Sequence, residues 1–412
     1  MRVVLIKSFS LYGGTRLFID QAAMAFQRRG WDVEVVDLTL EEEIYPMLHR
    51  AARAPTDLVF SINCLGEHRD PAGRAVGEIL RAPHVIWHVD YILAQEERVL
   101  ATPRSTAMLM VDPTQVGALE DILGADRFAC LGFLPHPAVG EAAPDDTDAE
   151  AFVANRPIPL LWSGSHQRSR QRPWADSPEA ARQIFDDATD LALSVEWMPP
   201  HEALDTAFRT RGLDLSDLKY VTWRMAAKMV HAEIRFSRRF AFLEALAVTG
   251  LPLHICGAGW ADELHRFPNA VYEGEVEMTR MTELMRRSRV VLNTNANFGA
   301  GSHERPFSAF LAGAAVFSDY SRYYAEAFAG DEIAMFHWQA LDAGMQTLQA
   351  LVDSPQDAFQ RARRGKARVL AGHTWDHGVD VILEAARAIE AQGLVARPPV
   401  ARIFPPAVNP PG

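Results

Sequence analysis

The stretch RVVLIKSFSLYGGTRLFIDQAAMAFQRRGWDVEVVDL, residues 2–38, contains the elements of one βαβ unit. It begins with RVVLI, a short run rich in β-branched residues that is typical of a buried parallel strand. A glycine turn follows, and then Phe18, Ala22 and Ala25 recur at helical spacing until Gly30 ends the helix. The next run, DVEVVDL, predicts a second strand. Two such strands joined by a helix predict a doubly wound α/β sheet.

The same alternation continues along the chain and divides it into two α/β halves. Further strands are predicted in the runs DLVFSI, HVIWHVD, IPLLWSG, PLHICGAGW, NAVYEG, RVVLNTN and AAVFSD. We expect a first domain over residues 1–145, followed by a polar linker that contains Pro and Asp. A second domain is expected over residues 155–390, with a helical insertion at residues 173–235. The proline-rich tail, residues 391–412, is a candidate to pack back on the first domain.

Length and composition limit the classes of protein to consider. A chain of 412 residues with 48% hydrophobic residues is long enough for two domains with sizeable cores. Its net charge of −12 argues against broad nucleic-acid binding. Cys64, Cys130 and Cys256 lie far apart and lack the spacing of zinc ligands. The first residues have too short an apolar run for a signal peptide, and no segment approaches the roughly 20 apolar residues of a membrane span. We therefore expect a cytoplasmic protein with no transmembrane segment and no nucleic-acid partner.

A glycine-rich stretch in the second half, NFGAGSHERPFSAFLAGAAVFSD at residues 297–319, places bare backbone beside charged residues. We refer to residues 299–302 as the glycine loop. Its backbone N–H groups are unhindered, so a ligand can approach them closely. A helix predicted from about Pro306 directs the positive end of its dipole towards the same place. The stretch therefore predicts a site for an anion.

The order of these motifs resembles that of group 1 glycosyltransferases. The Gly-Gly loop, the helix ending in Arg-Gly, the VEVV strand and PHVIWHVDYIL are similar to the N-terminal domain of that group. LPLHICGAGW, NAVYEGEV, LNTN and SHERPFSAFLAGAAVFSD resemble its C-terminal domain, in particular its CgeB-like, spore-maturation-protein branch. The resemblance covers most of residues 1–140 and 236–385. It implies the GT-B fold, in which two Rossmann-like domains face each other across a cleft. It also implies a nucleotide-sugar donor held mainly by the C-terminal domain and an acceptor held mainly by the N-terminal domain.

The resemblance also implies which residues hold the donor. A departing nucleoside diphosphate needs cations and backbone N–H groups beside it where no metal ion serves. The predicted cations are Arg305 together with Arg238 and Arg239, which we expect to open the helix after the insertion. The other donor-binding candidates lie in loops that follow predicted strands: Gly13, Gly14, Gly257, Gly301, Ser302 and His303.

Three further residues are candidates for the catalytic chemistry. Glu304 matches the Glu-Arg pair of the CgeB-like pattern and is suited to accept hydrogen bonds from sugar hydroxyls. His88 and Asp90 end an apolar strand, at the edge where such sheets bind ligands. His88 can orient the transferred sugar or share an acceptor proton, and Asp90 can support His88 or act as a base. The alternatives are a solvated carboxylate for Glu304 and a buried, hydrogen-bonded pair for His88 and Asp90.

These residues predict a metal-independent glycosyltransferase. We expect it to move a sugar from a nucleoside-diphosphate donor, UDP by family frequency, to a hydroxyl acceptor with retained anomeric configuration. No cofactor and no metal are expected, and the acceptor is left open among a protein, a glycan and a small molecule. Two alternatives are a nucleotide-sugar epimerase of the same fold and a non-catalytic protein that binds a nucleotide sugar or a partner. Ser308, which stands where group 1 enzymes carry a glutamate, favours these alternatives.

Overall fold

The chain forms two compact units. The computed structural model describes residues 1–40, 44–64, 66–166, 171–213, 220–295, 298–393 and 401–403. One unit is built from Met1–Val139 and from the segment that begins at His373, and the other is built from Gly140–Gly372. Each unit contains one parallel β-sheet that alternates with helices along the chain.

The first unit begins with the predicted βαβ element. Its strands are β1 (Arg2–Lys7), β2 (Asp32–Asp37), β3 (Leu58–Ile62), β4 (His84–His88), β5 (Thr106–Met110) and β6 (Cys130–Phe133). Its helices are α1 (Gly14–Arg28), α2 (Ile44–Ala51), α3 (Val76–Leu80), α4 (Glu96–Ala101) and α5 (Pro113–Leu123). The face of α1 that contains Phe18, Ala22 and Ala25 is buried, as its spacing predicts. β1 lies between β2 and β3, so the direction in which strands are added reverses beside β1.

The second unit repeats this architecture. Its strands are β7 (Ile158–Ser163), β8 (Leu253–Cys256), β9 (Ala270–Gly274), β10 (Ser288–Asn293), β11 (Ala315–Asp319) and β12 (Ala334–Phe336). Its helices are α6 (Ala149–Asn155), α7 (Glu179–Ser194), α8 (Pro200–Thr210), α9 (Tyr220–Thr249), α10 (Met278–Arg286), α11 (Glu304–Leu311), α12 (Arg322–Ala327), α13 (Leu341–Asp353) and α14 (Pro355–Gly372). The strands lie in the order β12-β11-β10-β7-β8-β9, all parallel.

The predicted helical insertion consists of α7, α8 and the first half of α9. The 30 residues of α9 include neither Gly nor Pro, so the helix continues without a break from the insertion into the core. Arg238 and Arg239 therefore lie inside α9, and the expectation that they open a helix is wrong. Across the described part of the chain, no helix combines the length and the apolar character that crossing a lipid bilayer requires.

The segment expected to be a linker contains α6. The Asp148 carboxylate caps this short helix by accepting the backbone N–H of Ala151 at 2.9 Å. Phe152 is buried within the core of the second unit. Local capping and one buried aromatic ring thus give helical structure to a segment that composition alone predicts to be irregular.

The end of the chain returns to the first unit. After α14, α15 (Trp375–Ala391) packs on α1, and β13 (Ala401–Ile403) pairs with β6 at the edge of the first sheet. The indole of Trp375 lies 5.6 Å from the Trp87 ring and 6.3 Å from the Phe18 ring, centroid to centroid. The first sheet thus has the order β13-β6-β5-β4-β3-β1-β2. The sequence predicts that the second domain extends to residue 390, whereas in the structure the second unit ends at Gly372 and α15 belongs to the first unit. The remainder of the tail lies outside the described residues.

Candidate functional site

The strand order of the second sheet indicates where a ligand would bind. β7 and β10 are neighbours, and the strands that follow them in the chain extend in opposite directions from this pair. In open α/β sheets, ligands bind outside the carboxyl ends of the strands at such a switch point. Here the switch point is bordered by residues 164–166 after β7 and by the segment after β10 that includes the glycine loop.

The glycine loop is fixed by Asn295. The backbone N–H of Asn295 donates to the Asp319 carboxylate at 2.5 Å, and its side-chain amide donates to the carbonyls of Phe298 and Gly301 at 2.6 and 3.1 Å. The Ser321 hydroxyl donates to the Gly301 carbonyl at 2.6 Å. The Gly301 N–H already donates to the Phe298 carbonyl at 2.9 Å. Gly301 therefore shapes the loop, and its N–H is engaged inside it.

His303, Glu304 and Arg305 form the start of α11, two residues before the position near Pro306 that the sequence predicts. His303 is the N-cap residue, and its Nδ1 accepts the backbone N–H of Arg305 at 3.5 Å. The Glu304 carboxylate lies against His303 Nδ1. Burial lowers the pKa of His303, and the neighbouring Glu304 charge opposes this effect. The Ser302 side chain is fully buried next to this pair in sequence.

Arg305 is held at the carboxyl end of β10. Its side chain is 7% exposed, and Nη1 donates to the Asn293 side-chain oxygen at 2.8 Å. Asn293, the last residue of β10, in turn donates to the Ser318 hydroxyl at 2.9 Å. Asn293, which accepts the hydrogen bond from Arg305, is neutral, so it does not cancel the positive charge of the guanidinium.

Arg239 brings a second guanidinium to the same switch point. Its Nη1 donates to the carbonyl of Ser165, after β7, at 3.2 Å. Its Nε is buried and has no hydrogen-bond partner among the described residues. Burial, together with the positive charges of Arg305 and Arg235, lowers the pKa of Arg239 to about 9, and the charge of Asp319 opposes these effects. We call Arg235, Arg239 and Arg305 the arginine cluster; it concentrates positive charge at the switch point.

Arg238, next to Arg239 in the chain, faces a different environment. Its Nη2 donates to the carbonyls of Ala192 and Val195, where α7 ends, at 3.1 and 2.9 Å. Its guanidinium lies 5.4 Å from the centre of the Trp338 ring. These contacts give Arg238 a role in attaching the insertion to α9, in addition to the donor-binding role that the sequence predicts.

Asp319, at the end of β11, is a carboxylate whose charge acts on both Arg238 and Arg239. It is 1% exposed and accepts hydrogen bonds from the Asn295 N–H and from the Trp338 indole N–H, the latter at 3.2 Å. Burial raises its pKa to about 7, although these hydrogen bonds and the charge of Arg238 lower it. Asp319 therefore links Asn295, which holds the glycine loop, to Trp338, while its charge compensates only part of the arginine charge.

The loop after β8 closes on the loop after β7. A Cβ added to Gly257 would lie 2.6 Å from the Gly164 carbonyl oxygen, and one added to Gly259 would lie 1.9 Å from the His166 carbonyl oxygen. The Trp260 indole N–H donates to the Gly164 carbonyl at 2.8 Å. These contacts explain both glycines of CGAGW by close backbone packing, and the predicted donor contact of Gly257 stays a prediction.

The remaining candidates lie in the first unit, described by itself. Gly13 is the N-cap of α1 with φ of 71°, and Gly14 is the first residue of that helix. His88 ends β4 and is completely buried, and neither ring nitrogen has a hydrogen-bond partner among the described residues. Burial lowers the pKa of His88 to about 3, so the ring is neutral near pH 7.

Asp90 is exposed and held by a neighbouring loop. Its carboxylate accepts the Asn63 side-chain amide at 2.7 Å, while the Asn63 oxygen accepts the backbone N–H of Val89 at 2.9 Å. Asn63 follows β3 with a positive φ of 54°. The structure therefore does not join Asp90 to the His88 ring, and the alternative of a hydrogen-bonded pair is wrong.

Sequence reasoning missed three polar residues of the second unit: Arg235, Asn295 and Asp319. A signal for two of them is present, because Asn295 follows the run RVVLN and Asp319 ends AAVFSD. Polar side chains at the carboxyl ends of adjacent parallel strands are candidates for a shared site. Arg235 carries no such signal, since its position depends on the path of α9.

Comparison with known proteins identifies a matched region that covers much of the second unit and the beginning of α15. A family model described as "Glycosyl transferase-like" matches residues 238–384. The matched region includes Arg239, Glu304, Arg305 and Asp319, and it leaves out the insertion. A search of curated proteins found no match.

Solved structures of similar fold cover nearly the whole chain. Sucrose-phosphate synthase from Thermosynechococcus elongatus is 12% identical, with 95% of this chain and 100% of that chain covered and a TM-score of 0.51. An alpha-glucosyltransferase in complex with UDP and a 13-mer DNA is 10% identical, with 94% and 99% covered and a TM-score of 0.53. BGT of T4 phage in complex with UDP and Mn²⁺ is 10% identical, with 95% and 100% covered and a TM-score of 0.51. The shared architecture of two Rossmann-like units is the GT-B fold.

Proposed function

We propose that this enzyme, a glycosyltransferase by its matched domain and its GT-B fold, transfers a sugar from a nucleoside-diphosphate sugar to a hydroxyl acceptor. The observation that carries the proposal is the arginine cluster at the switch point of the second sheet. Like charges held together in a buried place destabilise each other, and they are retained where an anion binds between them. A diphosphate is the anion that best fits several guanidinium groups beside a helix start.

The arginine cluster also supplies what the reaction requires. When the bond from the sugar to the diphosphate breaks, negative charge develops on the departing oxygen, and preorganised donors stabilise it. Arg239 and Arg305 are fixed by the Ser165 carbonyl and the Asn293 side chain, so they need little reorganisation. Each charge-assisted hydrogen bond contributes about 1.5–3 kcal/mol. Two such arginines can therefore accelerate departure by several orders of magnitude.

We propose that no divalent metal ion takes part in this step. Fixed positive charges repel a cation from the place that they occupy, and they perform its role of neutralising the diphosphate. Because one protein of similar fold was solved with Mn²⁺, the assay needs arms with EDTA, Mg²⁺ and Mn²⁺. Activity that persists in EDTA supports the proposal, and activity that depends on Mg²⁺ or Mn²⁺ contradicts it.

UDP is the nucleotide that we propose, with retention of the anomeric configuration. Two proteins of similar fold were solved in complex with UDP, which makes UDP-sugars the first donors to test. The His303-Glu304-Arg305 sequence supports placement in the CgeB-like branch, with Glu304 binding sugar hydroxyls. We also propose a cytoplasmic location, because the three cysteines among the described residues are free and buried, as is usual for proteins of a reducing compartment.

On the acceptor side we propose roles for His88 and Asp90. His88 is a completely buried imidazole whose two nitrogens lack partners among the described residues, which carries a cost of about 1–3 kcal/mol per group that a bound hydroxyl relieves. A neutral His88 can accept or donate one hydrogen bond near pH 7. Asp90, exposed and oriented by Asn63, is the proposed base for the acceptor proton.

The test is a screen of UDP-, GDP-, dTDP- and CMP-sugars by thermal shift, followed by product analysis with acceptor mixtures. Binding of a donor raises the melting temperature in proportion to its affinity and concentration. We expect a shift with one nucleotide class, its loss in Arg239→Met, and its retention in Arg364→Met. Arg364 is an exposed residue of the same unit that pairs with Asp331, so it is a matched control. No shift with any donor contradicts the proposal, and so does conversion of the donor sugar without an acceptor.

A further inference from the structure

The link between α7 and α8 in the helical insertion is attached to the core from two sides. The Arg238 guanidinium donates to the Val195 carbonyl at 2.9 Å. The Glu196 carboxylate accepts the backbone N–H groups of Trp338 and Gln339 at 3.2 and 3.3 Å. These contacts fix the backbone immediately before Trp197.

Trp197 lies directly on the glycine loop. A Cβ added to Gly299 would fall 2.1–2.3 Å from three indole atoms of Trp197, far closer than carbon atoms can approach. The indole is therefore in van der Waals contact with the bare Cα of Gly299. Trp197 as a whole is half-buried.

The contact brings the insertion to the site that carries the proposed function. The Gly299 carbonyl accepts the N–H of Arg322 at 2.8 Å, and the next residues of the loop are held by Asn295 and, through it, by Asp319. Asp319 is also the carboxylate whose charge acts on Arg239. One network thus connects the loop beneath Trp197 to the arginine cluster.

We propose that Trp197 is a donor-binding residue that stacks on one of the two rings attached to the diphosphate. The proposal rests on the proposed function, because it takes the glycine loop and the arginine cluster to hold the diphosphate. A nucleoside-diphosphate sugar has a nucleobase on one side of the diphosphate and a sugar on the other. Both present a face that packs on an aromatic side chain. Since the family match begins at residue 238, Trp197 lies outside the matched domain, whereas Gly299 lies inside it.

The experiment compares UDP-glucose, UDP and inorganic pyrophosphate by calorimetric titration of the full chain. In Trp197→Ala we expect UDP-glucose to bind about ten-fold more weakly or worse, the usual loss when a stacked aromatic ring is removed. Trp197→Phe should retain most of the affinity, and pyrophosphate should bind both variants as it binds the wild type. A parallel loss for UDP identifies the nucleobase as the stacked ring, whereas a loss for UDP-glucose alone identifies the sugar.

Two results would overturn the inference. One is an unchanged affinity of Trp197→Ala for UDP-glucose, and the other is an equal loss of pyrophosphate binding, which means that the indole only supports the loop. Gly299→Ala provides a second variant: its Cβ displaces the ring while Trp197 is retained, so weaker binding of UDP-glucose is expected again. If the wild type binds donor and Arg239→Met does not, either of these two results in the Trp197 variants overturns only this inference and leaves the proposed function in place. If the wild type binds no donor, the proposed function fails with it.

Discussion

Replacing Arg239 with methionine should make the ligand-free protein more stable while it weakens donor binding. The folded state lowers the pKa of Arg239 from its ordinary value to about 9, which corresponds to a cost of a few kcal/mol for carrying the charge. The substitution also removes the hydrogen bond to the Ser165 carbonyl, which contributes about 1 kcal/mol. The net gain that we expect is about 1–3 kcal/mol at pH 7.

The gain has a defined pH dependence. Because the folded pKa lies below the unfolded one, the cost of the Arg239 charge is complete below pH 9 and disappears as the pH rises from there towards the ordinary pKa of an arginine side chain. The melting temperature of Arg239→Met should therefore exceed that of the wild type by several degrees near neutral pH, at about 2–4 °C per kcal/mol for a unit of this size.

Donor binding should respond in the opposite direction. Loss of one charge-assisted hydrogen bond weakens binding about ten-fold or more, which calorimetric titration with a UDP-sugar measures directly. At 100 times the dissociation constant, a donor stabilises the wild type by about 2.7 kcal/mol, and most of this should vanish in the variant.

Arg238→Met is the informative comparison, because it leaves the carbonyls of Ala192 and Val195 without their donor and should destabilise the protein. If Arg239→Met were destabilised like Arg238→Met and bound donor like the wild type, the argument from repulsion within the arginine cluster would be refuted.

Three further predictions concern other buried groups. Asp319→Asn should remove a pH dependence of the free energy of unfolding, because folding raises the pKa of Asp319 to about 7. The stability of the wild type relative to the variant should fall between about pH 4 and pH 7 and stay constant above pH 7. Urea unfolding at several pH values measures this difference. A constant difference across that range would argue against a buried, destabilised carboxylate. Gly365→Ala should lower the free energy of unfolding by about 1–3 kcal/mol, because its Cβ would lie 2.2 Å from the Phe310 ring. Gly117→Ala is the control and should not lower it, because a Cβ there meets open space. Similar denaturation midpoints for the two variants would exclude tight packing at Gly365. His88→Phe should keep donor affinity but lower the transfer rate by about 100-fold or more, and an unchanged rate constant would remove His88 from the mechanism.

The strands that the sequence predicted share a strong pattern, and the missed strands lack it. RVVLI and RVVLN are rich in β-branched residues, which favour extended backbone. β5 (TAMLM) and β6 (CLGF) contain Met, Leu, Cys and Gly, which do not distinguish a strand from a buried helix. β12 has three residues, too few for any periodicity. These strands form because parallel neighbours supply their hydrogen bonds, which is information that lies outside the local sequence.

The candidate site was predictable in location but not in detail. The run after β10 identified the glycine loop, Glu304 and Arg305 because glycines and charges are unusual beside a buried strand. The different roles of Arg238 and Arg239 were not predictable, since adjacent residues point about 100° apart on a helix and the path of α9 decides which one reaches the switch point. The contact of Trp197 with Gly299 depends on how the insertion packs, which its sequence does not reveal.

The assignment of α15 to the first unit affects how the chain folds during synthesis. At about 5–20 residues per second, roughly 10–50 s pass between the emergence of Val139 from the ribosome and that of His373. Throughout that interval Phe18 and Trp87 lack the Trp375 ring that later covers them. The nascent first unit therefore keeps this apolar surface uncovered by Trp375 until α15 has been synthesised. A fragment ending at Val139 would keep that apolar surface permanently and should aggregate.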